Sequence, residues 1–471
     1  MMQGVKDLPG SVKVGYGAGE FGTAAVEFFV RVYLLKLYVD VVGLSASLAG
    51  AVLALAVIWD AVTDPLMGEV SDRTRWRSGR RRAWIGIGAL LTALAFTVLF
   101  APPSGFGQAG AAAFLLAAYM VFNTALTVIA VPHAALGGEL SSDPSIRNEI
   151  FGWRFLFANL GLVFGIVVPA VAAGSSGSAG GTLWLAAAVV VSGGVAVLAT
   201  RGHDSPDRSA IAPSLGGLAR SLAAVARCRP FRPLVLAYLV GSMGLTLNSS
   251  LALFYYEHRL LLSERQVFVW ILLPFALIIA LSIGGWVLLA RRLGRRRIAF
   301  AGVFLLGIGT TVVYPLFPAG ELLGPVVWGI IGGMLVGSVF LFDATVADIV
   351  DWDEALTGIH REGMYFGVWR MASKASRAFG LALTGFFLDA AGFVPGSVDQ
   401  TETARLGIAI AFGPGVGVLF VIAALIWLCV PLDEATQARV QRVLSRRRTK
   451  AAPGTEEKNQ LGPSEVEIPK P

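Results

Sequence analysis

Apolar runs of about twenty residues, the length of a helix that crosses a bilayer, recur along this chain and are broken by short polar connections. Twelve such runs can be counted, at 13–38, 46–68, 83–102, 108–136, 150–173, 181–200, 232–256, 266–290, 299–318, 324–345, 363–391 and 405–431. The pattern predicts an all-α polytopic membrane protein. Composition agrees. Of 471 residues, 55% are hydrophobic and 15% charged, against roughly 25% charged in an average soluble domain. Mean hydropathy is +0.69. The 56 glycines suit close helix–helix approach in lipid.

Charge then orients the spans. Arg73, Arg75, Arg77, Arg80, Arg81 and Arg82 follow span 2, Arg147 follows span 4, and Arg201, Arg208, Arg220, Arg227, Arg229 and Arg232 follow span 6. Arg291, Arg292, Arg295, Arg296 and Arg297 follow span 8, Arg361 follows span 10, and the tail is basic. The connections after the odd spans hold only Arg259, Arg265 and Arg405. This alternation predicts cytoplasmic N- and C-termini. It also explains the net charge of +7 without a nucleic-acid partner. The N-terminal stretch has no short apolar core with a small-residue cleavage site, so the first span is expected to target the chain. The two cysteines, Cys228 and Cys429, do not imply a disulfide framework.

Both halves carry an arginine block between their second and third spans, "SDRTRWRSGRRR" and "ARRLGRRR". A repeat at half-chain period is the signature of a parallel-repeat transporter. The expected organisation is a six-helix bundle at 1–200, a cytoplasmic linker at 201–231, a second six-helix bundle at 232–431 and a largely disordered cytoplasmic tail at 432–471.

An ionisable side chain inside a span costs about 2.5 kcal/mol or more unless it is paired or faces water, so each needs a reason. In span 2, Asp60 and Asp64 share a helix face. Thr63 adds a hydroxyl, and Pro65 frees a carbonyl by lacking an N–H. This oxygen-rich group suits a small hard cation such as sodium. Alternatively, the two close carboxylates share a proton, or they bond structurally to a neighbouring helix. In span 1, Glu20, Ala24, Glu27 and Arg31 form a stripe, in which Glu27 and Arg31 either neutralise each other or line a cavity. Span 11 carries Arg370, Lys374 and Arg377 on one face; three cations cannot all face lipid, so some pair with the carboxylates of spans 1 and 2 or line a cavity. Arg154 and Asn159 lie in span 5, and Asn123, Thr127 and His133 in span 4. The connection "ADIVDWDEALTGIHREG" sets Asp348 and Asp351 opposite the arginine blocks, with Arg73 and Arg147 nearby. It reads as an inner gate or as a solvated acidic loop. "GAGEFG" at 17–22 matches a dinucleotide fingerprint, but no strand precedes it, and small residues for helix packing explain it better. No nucleotide-binding P-loop or hydrolase motif is present, so neither an ATP-driven pump nor an enzyme is expected.

The segments "WDAVTDPLMGEVSDRTRWRSGRRRAW", "VPHAALGGELSSDPSIRNEIFGWRF", "LFYYEHRLLLSE", "GYGAGEFG", "LYVDVVGLS" and "ADIVDWDEALTGIHREGMYFGVWRMASKASRAFG" together resemble the glycoside–pentoside–hexuronide:cation symporters, the melibiose-permease branch of the major facilitator superfamily, over residues 10 to 440. The resemblance implies the major facilitator fold, twelve helices in two pseudo-symmetric bundles around a central cavity, working by alternating access as a secondary transporter in the cell inner membrane. It implies a cation site at Asp60 and Asp64 supported by Thr63 and Thr127, with sodium, lithium or a proton as the coupling ion and no cofactor. It places the family's arginine and lysine at Arg154 and Lys374. The sugar-binding carboxylates fall on Ala24 and Ala130, and a sugar-stacking tryptophan on Ala134. The galactoside site is thus largely absent, while Arg370 adds a cation. The expected substrate is therefore a small organic solute, a glycoside or a sugar acid such as a hexuronide. Expected contacts are Arg154, Lys374 and Arg370, with Glu20, Glu27 and His133 in support. A lysolipid of the kind moved by relatives with this fold is the alternative, and a non-transporting membrane sensor is a third reading. A monomer is expected.

Overall fold

Lipid offers no hydrogen bonds, so backbone groups at membrane depth must satisfy one another, and apolar runs of this length become helices. The structure, a computed structural model, describes residues 8–74, 76, 79, 81–141, 143–172, 178–203, 225, 228–358, 362–397, 399–431, 436–440 and 442–444. Most of the expected linker and tail lies outside the described residues. Among the described residues, the helices are α1 (Gly10–Lys36, continued by a π turn at Leu37–Val41), α2 (Ala46–Arg73), α3 (Arg82–Leu99), α4 (Gln108–Glu139), α5 (Pro144–Ala172) and α6 (Ser178–Ala199). The second half supplies α7 (Phe231–Arg259), α8 (Glu264–Leu293), α9 (Arg295–Leu316), α10 (Leu323–Thr357), α11 (Glu362–Ala390) and α12 (Glu402–Trp427). Ten of these are long and apolar enough to cross a membrane. The other two, α1 and α11, are 27 and 29 residues long but carry the charged stripes. These two sit at the middle of the molecule: α1 packs against α5, α6 and α7, and α11 against α2 and α7.

One boundary departs from expectation. Asp348 and Asp351 lie on α10 itself, which continues to Thr357 and ends at Gly358 in the left-handed conformation. The reason is periodicity. Val346, Ile349, Val350, Trp352 and Ala355 are buried at helical spacing, so the acidic segment is part of a packed helix and not a loop.

The glycines of "GAGEFG" serve packing. A Cβ on Gly17 would stand 2.8 Å from the Trp153 backbone on α5, and one on Gly19 2.8 Å from the His133 ring on α4. The same device joins the halves. A Cβ on Gly50 of α2 would stand 2.6 Å from the Leu381 carbonyl oxygen of α11, and 3.2 Å from Gly385.

The two halves repeat a detail that composition hides. At the end of α1, Val42 and Leu44 donate to the Leu37 and Tyr38 carbonyls; at the end of α7, Leu260 and Leu262 donate to those of Tyr255 and Tyr256. Gly43 takes φ +79° in the first copy, and Leu261 takes φ +58° in the second. A leucine in this region is strained, so the repeated turn dictates the backbone there. These paired turns clasp the halves together at one end of the molecule. Lys36 bridges Glu257 at 2.8 Å and Glu264 at 2.7 Å, and His258 meets Asp40, its counterpart in the repeat, at 3.0 Å. Asp389 of α11 accepts the N–H groups of Ala46 and Ser47 at 3.2 and 3.0 Å, capping α2 from the other half.

At the opposite, arginine-rich end several pairs lie within a half. Arg81 bonds Glu139 at 3.0 Å and Ser71 at 2.6 Å, Lys13 bonds Glu149 at 2.6 Å, and Arg295 pairs with Asp348, which also accepts from Gln437. Arg73 pairs with Glu69 on its own helix. Arg147 and Asp351 lie at this end and have partners of their own. Asp348 does meet an arginine block, but that of its own half, because Arg295 opens the helix packed beside α10.

Replacing Gly50 or Gly385 by leucine should drive α2 and α11 apart. The expected cost is about 1–3 kcal/mol, read as a lower thermal-unfolding midpoint of the purified protein; an unchanged midpoint in both variants would show that this crossing is loosely packed.

Candidate cation and substrate site

Asp60 and Asp64 are one helical turn apart on α2, and Thr127 on α4 faces them both. Its hydroxyl lies 3.0 Å from Asp60 Oδ1 and 2.9 Å from Asp64 Oδ1. A hydroxyl has one hydrogen, so it donates to one carboxylate at a time. From the other half, the Lys374 ammonium of α11 sits between the same two groups, 2.5 Å from Asp64 Oδ2 and 2.9 Å from Asp60 Oδ2, and donates to the Asp60 carbonyl at 3.1 Å. Arg377, one turn further along α11, approaches Asp60 Oδ2 at 3.6 Å. The expectation that the α11 cations meet the span 2 carboxylates is met for two of the three. Arg370 is exposed and has no carboxylate partner among the described residues.

Two expected details differ. Thr63 donates to the Asp60 carbonyl at 3.1 Å, the usual fate of a hydroxyl inside a helix, and its side chain does not join the carboxylates. The carbonyl that Lys374 reaches is that of Asp60, whereas Pro65 removes the donor for Ala61, four residues before it.

A second cluster lies between α1, α4 and α5. Arg154 grips Glu20 with two nitrogens, at 2.7 and 3.0 Å. His133 is buried, stacks on Tyr16, and places Nδ1 3.1 Å from Glu20 and Nε2 2.9 Å from the Tyr16 carbonyl. The sequence marks these three residues as substrate contacts; the structure brings them together as one another's partners.

Between the halves lies a small cavity of about 30 Å³. Glu27, Arg31, Tyr119, Asn123, Thr246, Ser250 and Arg377 supply its polar lining, and leucines of α1, α2, α4 and α11 much of the rest. A second, larger and more open space of about 250 Å³, between α1 and α5, shares Glu27 and Arg31 and adds Asn159. Glu27 and Arg31 line both spaces, and among the described residues no ion pair within 4 Å joins them. Tyr119, Thr246 and Ser250 carry no signal in the sequence, because single polar residues in apolar helices are common and nothing local says which face they take. No group of three or more metal-binding side chains occurs among the described residues. A cation here would rest on two carboxylates with the Thr127 hydroxyl and water, a set that fits a monovalent ion or a proton.

Residues 15–434 match the family model described as MFS/sugar transport protein, and the chain belongs to that family. It is therefore a transporter of the major facilitator class and not an enzyme. It is 27% identical to an uncharacterized symporter of Synechocystis sp., over 93% of this chain and 97% of that one. It is 25% identical to a putative glycoside/cation symporter of Escherichia coli, over 92% and 93%, and 24% identical to sodium-dependent lysophosphatidylcholine symporter 1-B of Danio rerio, over 90% and 86%. In fold it resembles a crystal structure of the peptide transporter POT with alafosfalin, at TM-score 0.63 and 15% identity, over 92% of this chain and 95% of that one.

Replacing Lys374 by methionine should remove the counter-charge of two carboxylates. Thermal stability in cation-free buffer should fall by about 1–3 kcal/mol, below the cost of breaking a fully buried pair because the site is partly open. Added sodium should then stabilise the variant more than the parent protein. Equal stability of the two proteins would mean that the ammonium contributes nothing at this site.

Proposed function

We propose that this protein is a cation-coupled symporter that moves a small organic solute, a glycoside or a sugar acid such as a hexuronide, across the cell inner membrane by alternating access, with sodium or a proton as the coupling ion. One observation carries the reading: the Lys374 ammonium is seated between Asp60 and Asp64, bridging a helix of each half. A cation binding at this pair must compete with the ammonium. Loading the site therefore frees Lys374 for the cavity and loosens a tie between the halves, which links ion binding to substrate binding and to conformation.

The same reading gives the rest of the architecture a place. Under the positive-inside bias the arginine-rich end faces the cytoplasm, with both termini. The clasp of Lys36, Glu257, Glu264, Asp40 and His258 then closes the outer end, and Arg81 and Arg295 brace the inner ends of their own halves. The arrangement corresponds to a cavity shut toward the outside. A lysolipid substrate is supported by the lysophosphatidylcholine symporter among the relatives and by the leucine-rich part of the cavity wall.

Uptake into proteoliposomes from a panel of neutral glycosides, sugar acids and lysophosphatidylcholine, under imposed sodium or proton gradients, tests the reading. Gradient-driven accumulation of a sugar acid is expected, and Asp60→Asn or Asp64→Asn should reduce it at least about tenfold, the effect of losing about 1.4 kcal/mol of binding. Accumulation of lysophosphatidylcholine alone would assign the lipid reading instead. Accumulation that persists in both aspartate variants would remove the pair from coupling.

A further inference from the structure

We infer that the substrate's acid group docks on Arg31 and Arg377, with the Ser250 hydroxyl, in the cavity between the halves, and not on Arg154 or Arg370. The inference rests on the proposal above that the solute carries an acid group, and it names the place in the protein that receives it.

The cations are not equally available. Arg154 is committed to Glu20 through two hydrogen bonds. Lys374 is held by Asp60 and Asp64 until a cation loads the pair. Arg370 is exposed and lines neither cavity. Arg31 lines both cavities and makes no hydrogen bond or ion pair among the described residues, although Glu27 is one turn away on the same helix. Arg377 lines the central cavity, its only ion pair among the described residues is the 3.6 Å approach to Asp60, and its Nε is buried without a partner there. Ser250 lines the same cavity, is 1% exposed, and its hydroxyl also lacks a partner.

Buried donors without acceptors are uncommon in native proteins, and each asks for an explanation. Here two, the Arg377 Nε of α11 and the Ser250 hydroxyl of α7, lie on one cavity, and the exposed Arg31 of α1 joins them in its wall. Two guanidinium groups and a hydroxyl match an oxyanion, since guanidinium forks bind carboxylate, sulfonate or phosphate oxygens in pairs. Glu27, in the same wall, offers an acceptor to the hydroxyl groups of a sugar. The charges fit as well. Glu27, Asp60 and Asp64 balance Arg31, Lys374 and Arg377, so the empty cavity and its cation site are neutral together. One coupling cation adds one positive charge, and a monoanion restores the balance. Arg31 and Arg377 come from different halves, so an anion held by both would also draw the halves together.

The test is calorimetric binding to the full-length protein in detergent with sodium present, using methyl β-D-glucuronide, its neutral counterpart methyl β-D-glucoside, and lysophosphatidylcholine. The glucuronide should bind more tightly than the glucoside. Arg31→Gln and Arg377→Gln should each weaken glucuronide binding roughly 10- to 100-fold, the loss of a charge-assisted hydrogen bond, and weaken glucoside binding much less. Arg31→Lys should restore part of the affinity. Arg31 reaches solvent in the cavity, so its variants test the point even if Arg377→Gln fails to fold. If lysophosphatidylcholine alone binds, and loses affinity in the same variants, the subsite stands with phosphate as its anion and the sugar reading falls. Glucuronide binding that is lost in Arg154→Gln or Arg370→Gln but kept in Arg31→Gln overturns the inference and leaves the sugar-acid reading intact. A wild-type protein with no preference for either anionic probe overturns both, while coupling through Asp60 and Asp64 is judged separately by uptake.

Discussion

The ammonium of Lys374 between two carboxylates of another helix is the interaction on which the rest of this molecule turns. A charge at membrane depth must be paired or wetted, and two carboxylates one helical turn apart cannot both stay ionised cheaply without a counter-charge. A lysine brought in from the other half supplies it. That choice makes the carboxylate pair and the contact between halves one structure. Whatever binds at Asp60 and Asp64 also changes how α2 and α11 hold each other. A fixed counter-charge from the same half would give a stable protein with no such link.

The same logic organises the other charges. Glu20 and Arg154 satisfy each other, with His133 completing the carboxylate's shell. The clasp pairs Lys36 with two glutamates and Asp40 with His258. Arg81 and Arg295 each reach a carboxylate on the fourth helix of their own half, Glu139 and Asp348. Against this background of pairing, Arg31 and Arg377 are the cations left facing the cavity with little to hold. The charges on α1 and α11 lower the apolarity of those two helices, and this is why they fall outside the ten that qualify as spans on composition. Their departure from the hydrophobic pattern coincides with their central position.

Much of this was legible in the sequence. Helix number and limits follow from apolar runs, because lipid enforces helices wherever the chain is apolar for long enough. The Asp60–Asp64 pair and the need for partners from span 11 follow from the cost of charge in a membrane. Partner choice was harder to read. Helical spacing shows that Arg370, Lys374 and Arg377 share a face, but the depth of each along α11 decides that Lys374 meets the aspartates while Arg370 stays exposed. Asp348 looked like a loop residue because the acidic segment is polar on one side, and its buried side was discounted. The clasp was available in principle. "LYVDVVGLS" and "YYEHRLLLS" are copies of one turn at half-chain period, and aligning them sets Asp40 opposite His258.

The most direct measurement is the transient current that proteoliposomes produce when sodium or proton concentration is stepped without substrate. Cation binding at Asp60 and Asp64, with release of Lys374, predicts a current in the wild-type protein that vanishes when both aspartates are replaced by asparagine. A current of unchanged size in that double variant contradicts coupling through this pair.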